Sequence, residues 1–308
     1  MLAIAFDGSP SAALAVRAAA SFFPNATATL ITVPAPPPPG ATSASRWLMN
    51  VPSGTLEHAL AEINAEATEE ASELAAEGAA QAGASGLTAT PLVTKPHAPS
   101  WEALLNAAKT AGAQALVCGA RGRGEIARAV LGSTSISLLH HADLPLLIVP
   151  DDAVPSDGPV LIAYDGSPAA DHAIDVAGAL LPGRTATVVH VWASQYRRSR
   201  AVSAIARGEI SDVVSVLDQA LADEAAAITA QGAERASATG LDAIGETVES
   251  RSGVWRTVRT LAADKRASLV VTGARGIGGA RSALLGSVSS GLVHNADTPV
   301  LVVHAEAP

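Results

Sequence analysis

The chain has 308 residues, enough for two domains of about 150 residues that each bury a core. Its net charge of −9 argues against a general DNA- or RNA-binding role, which needs a basic face, and discourages adhesion to anionic lipid. Aromatic residues are 3% of the total, too few for a nucleic-acid stacking surface, and the single cysteine, Cys118, permits no internal disulfide and leaves a structural zinc site short of ligands. The opening run Met1 to Phe6 meets Asp7 at once and is too short for a signal-peptide core. No apolar run reaches the length of a membrane span, so a soluble, cytoplasmic protein is expected.

In chain order, a first strand is predicted over Leu2 to Phe6, followed by Asp7-Gly8-Ser9-Pro10, in which Ser9 caps a helix and Pro10 takes its first position. The second half repeats this as Val160 to Tyr164 and Asp165-Gly166-Ser167-Pro168. Each following helix stops near a proline, Pro24 or Pro182. Second strands are predicted over Ala28 to Val33 and Ala186 to Trp192, β-branched and apolar as strands covered on both faces tend to be. The copies then diverge: one carries the proline-rich run Pro34 to Gly40, the other the basic run Arg197-Arg198-Ser199-Arg200, which reads as a solvated loop.

Long amphipathic helices come next, with apolar stripes at Leu56, Leu60, Ile63, Ala67, Ala71, Leu74 and at Ile210, Val213, Leu217, Leu221, Ala225, Ile228. Third strands (Thr88 to Val93, Ala243 to Val248) and third helices opening near Trp101 and Trp255 precede a glycine pattern in each half. It reads Gly119-Ala120-Arg121-Gly122 followed after nine intervening residues by Gly132-Ser133, and again Gly273-Ala274-Arg275-Gly276 with Gly286-Ser287. Last strands are predicted over Leu144 to Val149 and Pro299 to Val303. The offset between copies is 158 residues at Asp7 and Asp165 but 154 at Gly119 and Gly273, so the length difference falls in the middle of each copy. A polar linker, Asp151 to Gly158, separates domains expected at 1–150 and 159–308. Strands alternating with helices imply right-handed crossovers and a parallel sheet whose ligand lies beyond the strands' C-terminal ends.

Each glycine pattern follows an apolar strand and precedes a helix start near Ser133 or Ser287. Glycines there let backbone N–H groups approach an anion, and the helix N-terminus adds unpaired donors and the positive end of its dipole; the chemistry this suits is a polyphosphate. A single such loop is more often a plain turn, whereas two in register favour nucleotide binding. Asp7 and Asp165 would face the same crevices, where a carboxylate accepts from ribose hydroxyls or reaches a metal; the alternative is an Asp-Gly turn that starts a helix. Arg121, Arg123 and Arg275 either neutralise phosphate charge or are solvated loop residues. His140 and His294 stand near helix C-termini, where a cation suits the dipole, and no nucleophile and carboxylate complete a catalytic set beside them. Trp101 and Trp255 read as packing anchors.

These residues make the chain resemble a tandem universal stress protein, with two copies covering nearly its whole length. The resemblance implies an α/β fold of two three-layer αβα domains, each a five-stranded, mainly parallel sheet, Rossmann-like and akin to the adenine nucleotide alpha hydrolases. It implies that Gly119, Gly122, Gly132 and Ser133 cradle one triphosphate and Gly273, Gly276, Gly286 and Ser287 another, with Thr134 and Val288 continuing the phosphate turns and Val33 and Val191 flanking adenine. ATP with Mg2+ is the implied cofactor, AMP or a cyclic nucleotide being alternatives that the motif leaves open. The two domains are expected to pair through their last strands, and a homodimer of the whole chain and an unidentified protein partner are further expectations. Neither loop ends in the Gly-Lys-Ser/Thr of a P-loop NTPase, nor is there a Ser-Gly-Gly-x-Asp-Ser run, so binding with at most slow hydrolysis or autophosphorylation is expected. An ATP-using enzyme and a nucleotide-free scaffold are the competing readings; intact glycines in both copies weigh against the scaffold.

Overall fold

A computed structural model of the protein describes residues 1–34, 53–95, 99–122, 131–153, 156–194, 211–250, 252–275 and 285–304. The proline-rich run from Ala35 onward, the basic run at Arg197 and the residues Arg123 and Gly276 lie outside the described residues. The first repeat runs β1 (Leu2–Ala5), α1 (Pro10–Phe22), β2 (Thr27–Thr32), α2 (Ser53–Ala84), β3 (Thr88–Val93), α3 (Ser100–Thr110), β4 (Ala115–Gly119), α4 (Ser133–His141) and β5 (Leu146–Val149). The second runs β6 (Val160–Ala163), α5 (Pro168–Leu180), β7 (Thr185–Trp192), α6 (Ser211–Ala238), β8 (Asp242–Glu249), α7 (Val254–Asp264), β9 (Leu269–Gly273), α8 (Ser287–Asn295) and β10 (Val300–Val303). Each repeat thus contributes five strands alternating with helices, a Rossmann-like α/β arrangement.

Two compact units divide the chain, one up to residue 138 and one from 139 onward, apart from a short segment outside the described residues. In the first unit the strand order is β3-β2-β1-β4, all parallel, with Ile4 opposite Leu30 on one side and Val117 on the other. In the second the order is β5-β10-β9-β6-β7-β8, with Ile162 between Val188 and Val271. Here β5 runs antiparallel to β10, Leu147 facing Leu301, and the other pairs are parallel. Ile4, Leu30, Ile31, Leu116, Leu161 and Ile162 are fully buried, as expected of central strands covered on both faces.

The turn leaving each first strand is set by its sequence. Gly8 and Gly166 adopt φ of 77° and 76°, a conformation that side chains with a Cβ disfavour, and reverse the chain at the strand's end. Ser9 Oγ then accepts from Ala12 N at 3.1 Å and Ser167 Oγ from Ala170 N at 3.2 Å, with Pro10 and Pro168 in the first helical turn. Each cap contributes about 1 kcal/mol to its helix.

The long helices depart from the predicted stripe. Among the described side chains of α2 the buried positions are Ala71, Ala75, Gly78 and Ala82, and Ile63 is 41% exposed; in α6, Leu217 is 38% exposed; the burial of Leu56, Leu60, Ile210 and Val213 lies outside the description. The apolar spacing is helical, yet a helix of 32 residues is longer than the six-residue strand β2 beneath it, so the sheet cannot cover its whole length.

Candidate nucleotide-binding crevice

The C-terminal ends of β1 and β4 and the start of α4 enclose a crevice of about 300 Å³ in the first unit. Asp7, Val33, Gly119, Arg121, Gly122, Gly132, Ser133 and Thr134 line it together with Ile31, Leu104 and Cys118. Every residue expected from the first glycine pattern therefore reaches one cavity, and so do Asp7 and Val33.

Gly119 sits where α1 crosses β4: a Cβ there would lie 2.4 Å from Ser11 Oγ and 2.7 Å from the Ser11 carbonyl carbon. That close approach lets Ser11 Oγ accept from Arg121 N at 3.2 Å, which ties the loop to the helix. At the far end of the loop Gly132 N donates to Ala120 O at 2.9 Å, and Ser135 Oγ donates to Gly119 O at 2.9 Å. The first intrahelical bond of α4 runs from Ile136 N to Gly132 O, so the N–H groups of 133–135 have no acceptor within their helix. These donors, with the helix dipole, give this end of the crevice its attraction for an anion.

Asp7 has two roles that its two oxygens divide. Oδ1 accepts from Ser9 N at 3.0 Å, the turn that starts α1, and a Cβ on Gly122 would lie 2.8 Å from Oδ2. The second repeat keeps the first role: Asp165 Oδ1 accepts from Ser167 N at 3.1 Å. The charged groups of the lining are Asp7 and Arg121, so anionic and cationic chemistry both face the cavity. Among the described residues no cluster of three or more His, Cys, Asp or Glu side chains forms a ready metal site.

Cys118 is buried against this cavity, and burial pushes its thiol up to about 12, partly offset by a hydrogen bond with Ser135. A buried thiol raised this far holds little thiolate at pH 8, so iodoacetamide should leave the native protein unmodified and label it only in denaturant. Rapid labelling of the folded chain, read by mass spectrometry, contradicts that assignment.

The second unit repeats the backbone bond that closes the loop, while its serine hydroxyl bonds one residue further along. Gly286 N donates to Ala274 O at 2.8 Å, and Ser289 Oγ donates to Ala274 O at 2.9 Å. A Cβ on Gly273 would lie 2.9 Å from Ala169 O, the same helix-on-strand approach as at Gly119. Ser287 and Val288 open α8, and Val191 stands on β7 opposite Val248. Since Ala169 replaces Ser11, the hydroxyl that ties the first loop to its helix has no counterpart, and Thr272 replaces Cys118.

His140 and His294 occupy the last turns of α4 and α8 and are exposed; His294 Nδ1 lies 2.8 Å from Ser290 O. Trp255 packs against α8, where a Cβ on Gly291 would meet its ring at 2.5 Å, and the Arg256 guanidinium lies 4.4 Å from the ring centre. Sequence reasoning missed one pair of packing glycines. Gly78 in α2 leaves room for the Phe6 ring and Gly232 in α6 for the Tyr164 ring, where a Cβ would come within 2.7 and 2.6 Å respectively. Their shared offset of 154 residues was the available signal.

A doubled Rossmann-like domain with a glycine loop between strand and helix defines a class of α/β proteins. Within that class the assignment is direct: the Universal stress protein family model matches residues 2–150 and again 158–304, and the chain belongs to that family. A universal stress protein of Mycolicibacterium smegmatis is 35% identical over 65% of this chain and 64% of its own length. Universal stress protein Rv2005c of Mycobacterium tuberculosis is 33% identical over 62% and 61%. The match therefore spans under two thirds of the length of these relatives. A universal stress protein from Archaeoglobus fulgidus superposes with a TM-score of 0.62 at 18% identity, covering 99% of this chain and 98% of its own. A putative universal stress protein from Pseudomonas aeruginosa gives 0.52 at 15%, covering 99% and 93%. At these identities the two structures establish the fold alone. None of the described helices is long and apolar enough to cross a membrane.

Proposed function

We propose that the protein is an ATP-binding universal stress protein whose nucleotide occupancy regulates a stress response in the cytoplasm, through a protein partner, with the repeats at 1–150 and 159–308 as its two binding domains. One observation carries the reading: the first glycine loop, Asp7, Val33 and the opening turn of α4 converge on one crevice. The second loop, where described, repeats the same backbone bond at Gly286. Adenine would rest against Ile31, Val33 and Leu104, ribose hydroxyls would donate to Asp7, and the phosphates would take N–H donors from the loop and from Ser133 and Thr134. Gly276 and the rest of the second loop would serve the other site. Asp7, the carboxylate of the lining, would be the residue to hold Mg2+, which would neutralise phosphate charge there. ATP can shift the protein only through unequal affinity for two conformations. A protein so regulated needs binding, and turnover is incidental.

The test is to purify the chain without added nucleotide, denature it, and identify what is released, followed by calorimetric titration with Mg-ATP. One ATP for each glycine loop is the expected result, while AMP or a cyclic nucleotide in its place would reassign the ligand. Nothing released and no heat of binding would overturn the proposal in favour of a scaffold.

A further inference from the structure

The two glycine loops are both closed from the helix that follows them. In the first, Gly132 N donates to Ala120 O at 2.9 Å and Ser135 Oγ to Gly119 O at 2.9 Å; in the second, Gly286 N donates to Ala274 O at 2.8 Å and Ser289 Oγ to Ala274 O at 2.9 Å. The first loop is held from a second side as well. Ser11, 4% exposed in the first turn of α1, accepts from Arg121 N at 3.2 Å. Ala169 takes its place in α5 and has no side-chain acceptor, and among the described residues no hydrogen bond holds Arg275 N.

Helix and strand approach each other closely in both repeats: a Cβ would lie 2.7 Å from Ser11 O at Gly119 and 2.9 Å from Ala169 O at Gly273. The difference between the loops on this side is therefore one hydroxyl. Ser11 follows closely on Ser9, whose N–H donates to Asp7 Oδ1, and Arg121 precedes Gly122, where a Cβ would lie 2.8 Å from Asp7 Oδ2. The hydroxyl thus joins the turn that carries the crevice's carboxylate to the loop that carries its glycines, and it fixes the gap between them before a ligand enters.

A nucleotide with ribose at Asp7 and phosphates at the loop spans that gap. In the first crevice the gap is already set, whereas in the second the ligand must order it, and ordering subtracts from affinity. We propose that Ser11 is a positioning residue that makes the first crevice the tighter of two nucleotide sites; this rests on the ATP reading above. Because Arg121 N donates to α1, the hydroxyl acts by holding the loop and not by adding a donor to the ligand.

The experiment titrates Mg-ATP into the full chain and into its Ser11→Ala and Ala169→Ser variants by calorimetry, and follows amide exchange without nucleotide. The wild type should show two classes of site. Ser11→Ala should weaken the tighter class about threefold to tenfold, as expected for one neutral hydrogen bond, leave the weaker class unmoved and speed exchange at Arg121 N. Ala169 is half-buried, which leaves room for a hydroxyl, and Ala169→Ser should tighten the weaker class by a similar factor, a gain that a serine of purely structural value would not give. Equal affinities in the wild type, an Arg121 amide that exchanges at the same rate without the hydroxyl, or a second site weakened by Ala169→Ser would each overturn this inference while leaving the ATP reading intact. No binding of Mg-ATP to the wild type would overturn both.

Discussion

Replacing Gly122 by glutamate should sharply weaken the nucleotide binding proposed for the first crevice. The new Cβ would lie 2.8 Å from Asp7 Oδ2, and the carboxylate it carries would enter the cavity that Ser133 and Thr134 make attractive to anions. Like charges brought together in a confined site cost several kcal/mol, so affinity should fall about a hundredfold or more. The second loop at Gly273 and Gly286 is untouched, so a calorimetric titration should lose one class of site and keep the other. Asp7 Oδ1 keeps its bond to Ser9 N, and the unfolding transition should move little. Full retention of both classes of site would sink the assignment of this crevice.

The larger structural effect is expected at Gly119. An alanine Cβ there would press on the Ser11 carbonyl carbon and oxygen at 2.7 Å, and backbone cannot rotate away as a side chain can. Helix α1 must shift off β4, which also disturbs the Ser11 hydroxyl that accepts from Arg121 N. Overpacking of this kind costs about 1–3 kcal/mol, a fall in Tm of about 4–10 °C for a unit of this size. Gly83→Ala provides the contrast, since a Cβ there meets nothing within 4 Å and removes a helix-breaking residue from α2. It should hold or raise stability by up to about 1 kcal/mol. Thermal melts that rank the two variants equally would refute this account of the first glycine.

The strand, glycine loop and helix order was legible because its signals are local. Helices α4 and α8 begin at Ser133 and Ser287, where the serine after the glycine had marked their starts, and Ser9 and Ser167 cap the helices they precede. Bringing Asp7 and Gly122 to one cavity needs parallel strands β1 and β4 as neighbours; alternation of strand and helix implies the parallel direction, while the adjacency comes from the structure. Illegible features depend on a second element whose position no local pattern fixes. The exposure of Ile63 and Leu217 follows from where the sheet stops, and helical periodicity carries no information about that. The room that Gly78 leaves for Phe6 depends on how α2 crosses β1. Likewise, Ser135 reads as an ordinary helix residue until its hydroxyl is found on Gly119 O, closing the loop from its far side.

Strand β5 belongs to the first repeat in sequence and to the second unit in space, where it pairs with β10. Emergence from the ribosome gives this arrangement a timetable. Leu147 is made about 150 residues before its partner Leu301, an interval of roughly ten to thirty seconds at ordinary elongation rates. For that time the segment Leu146–Val149 has no β10 to pair with, on a nascent chain that has already made four earlier strands. Slower reading of the second repeat lengthens that interval, and with it the time in which this apolar segment is open to capture by a chaperone.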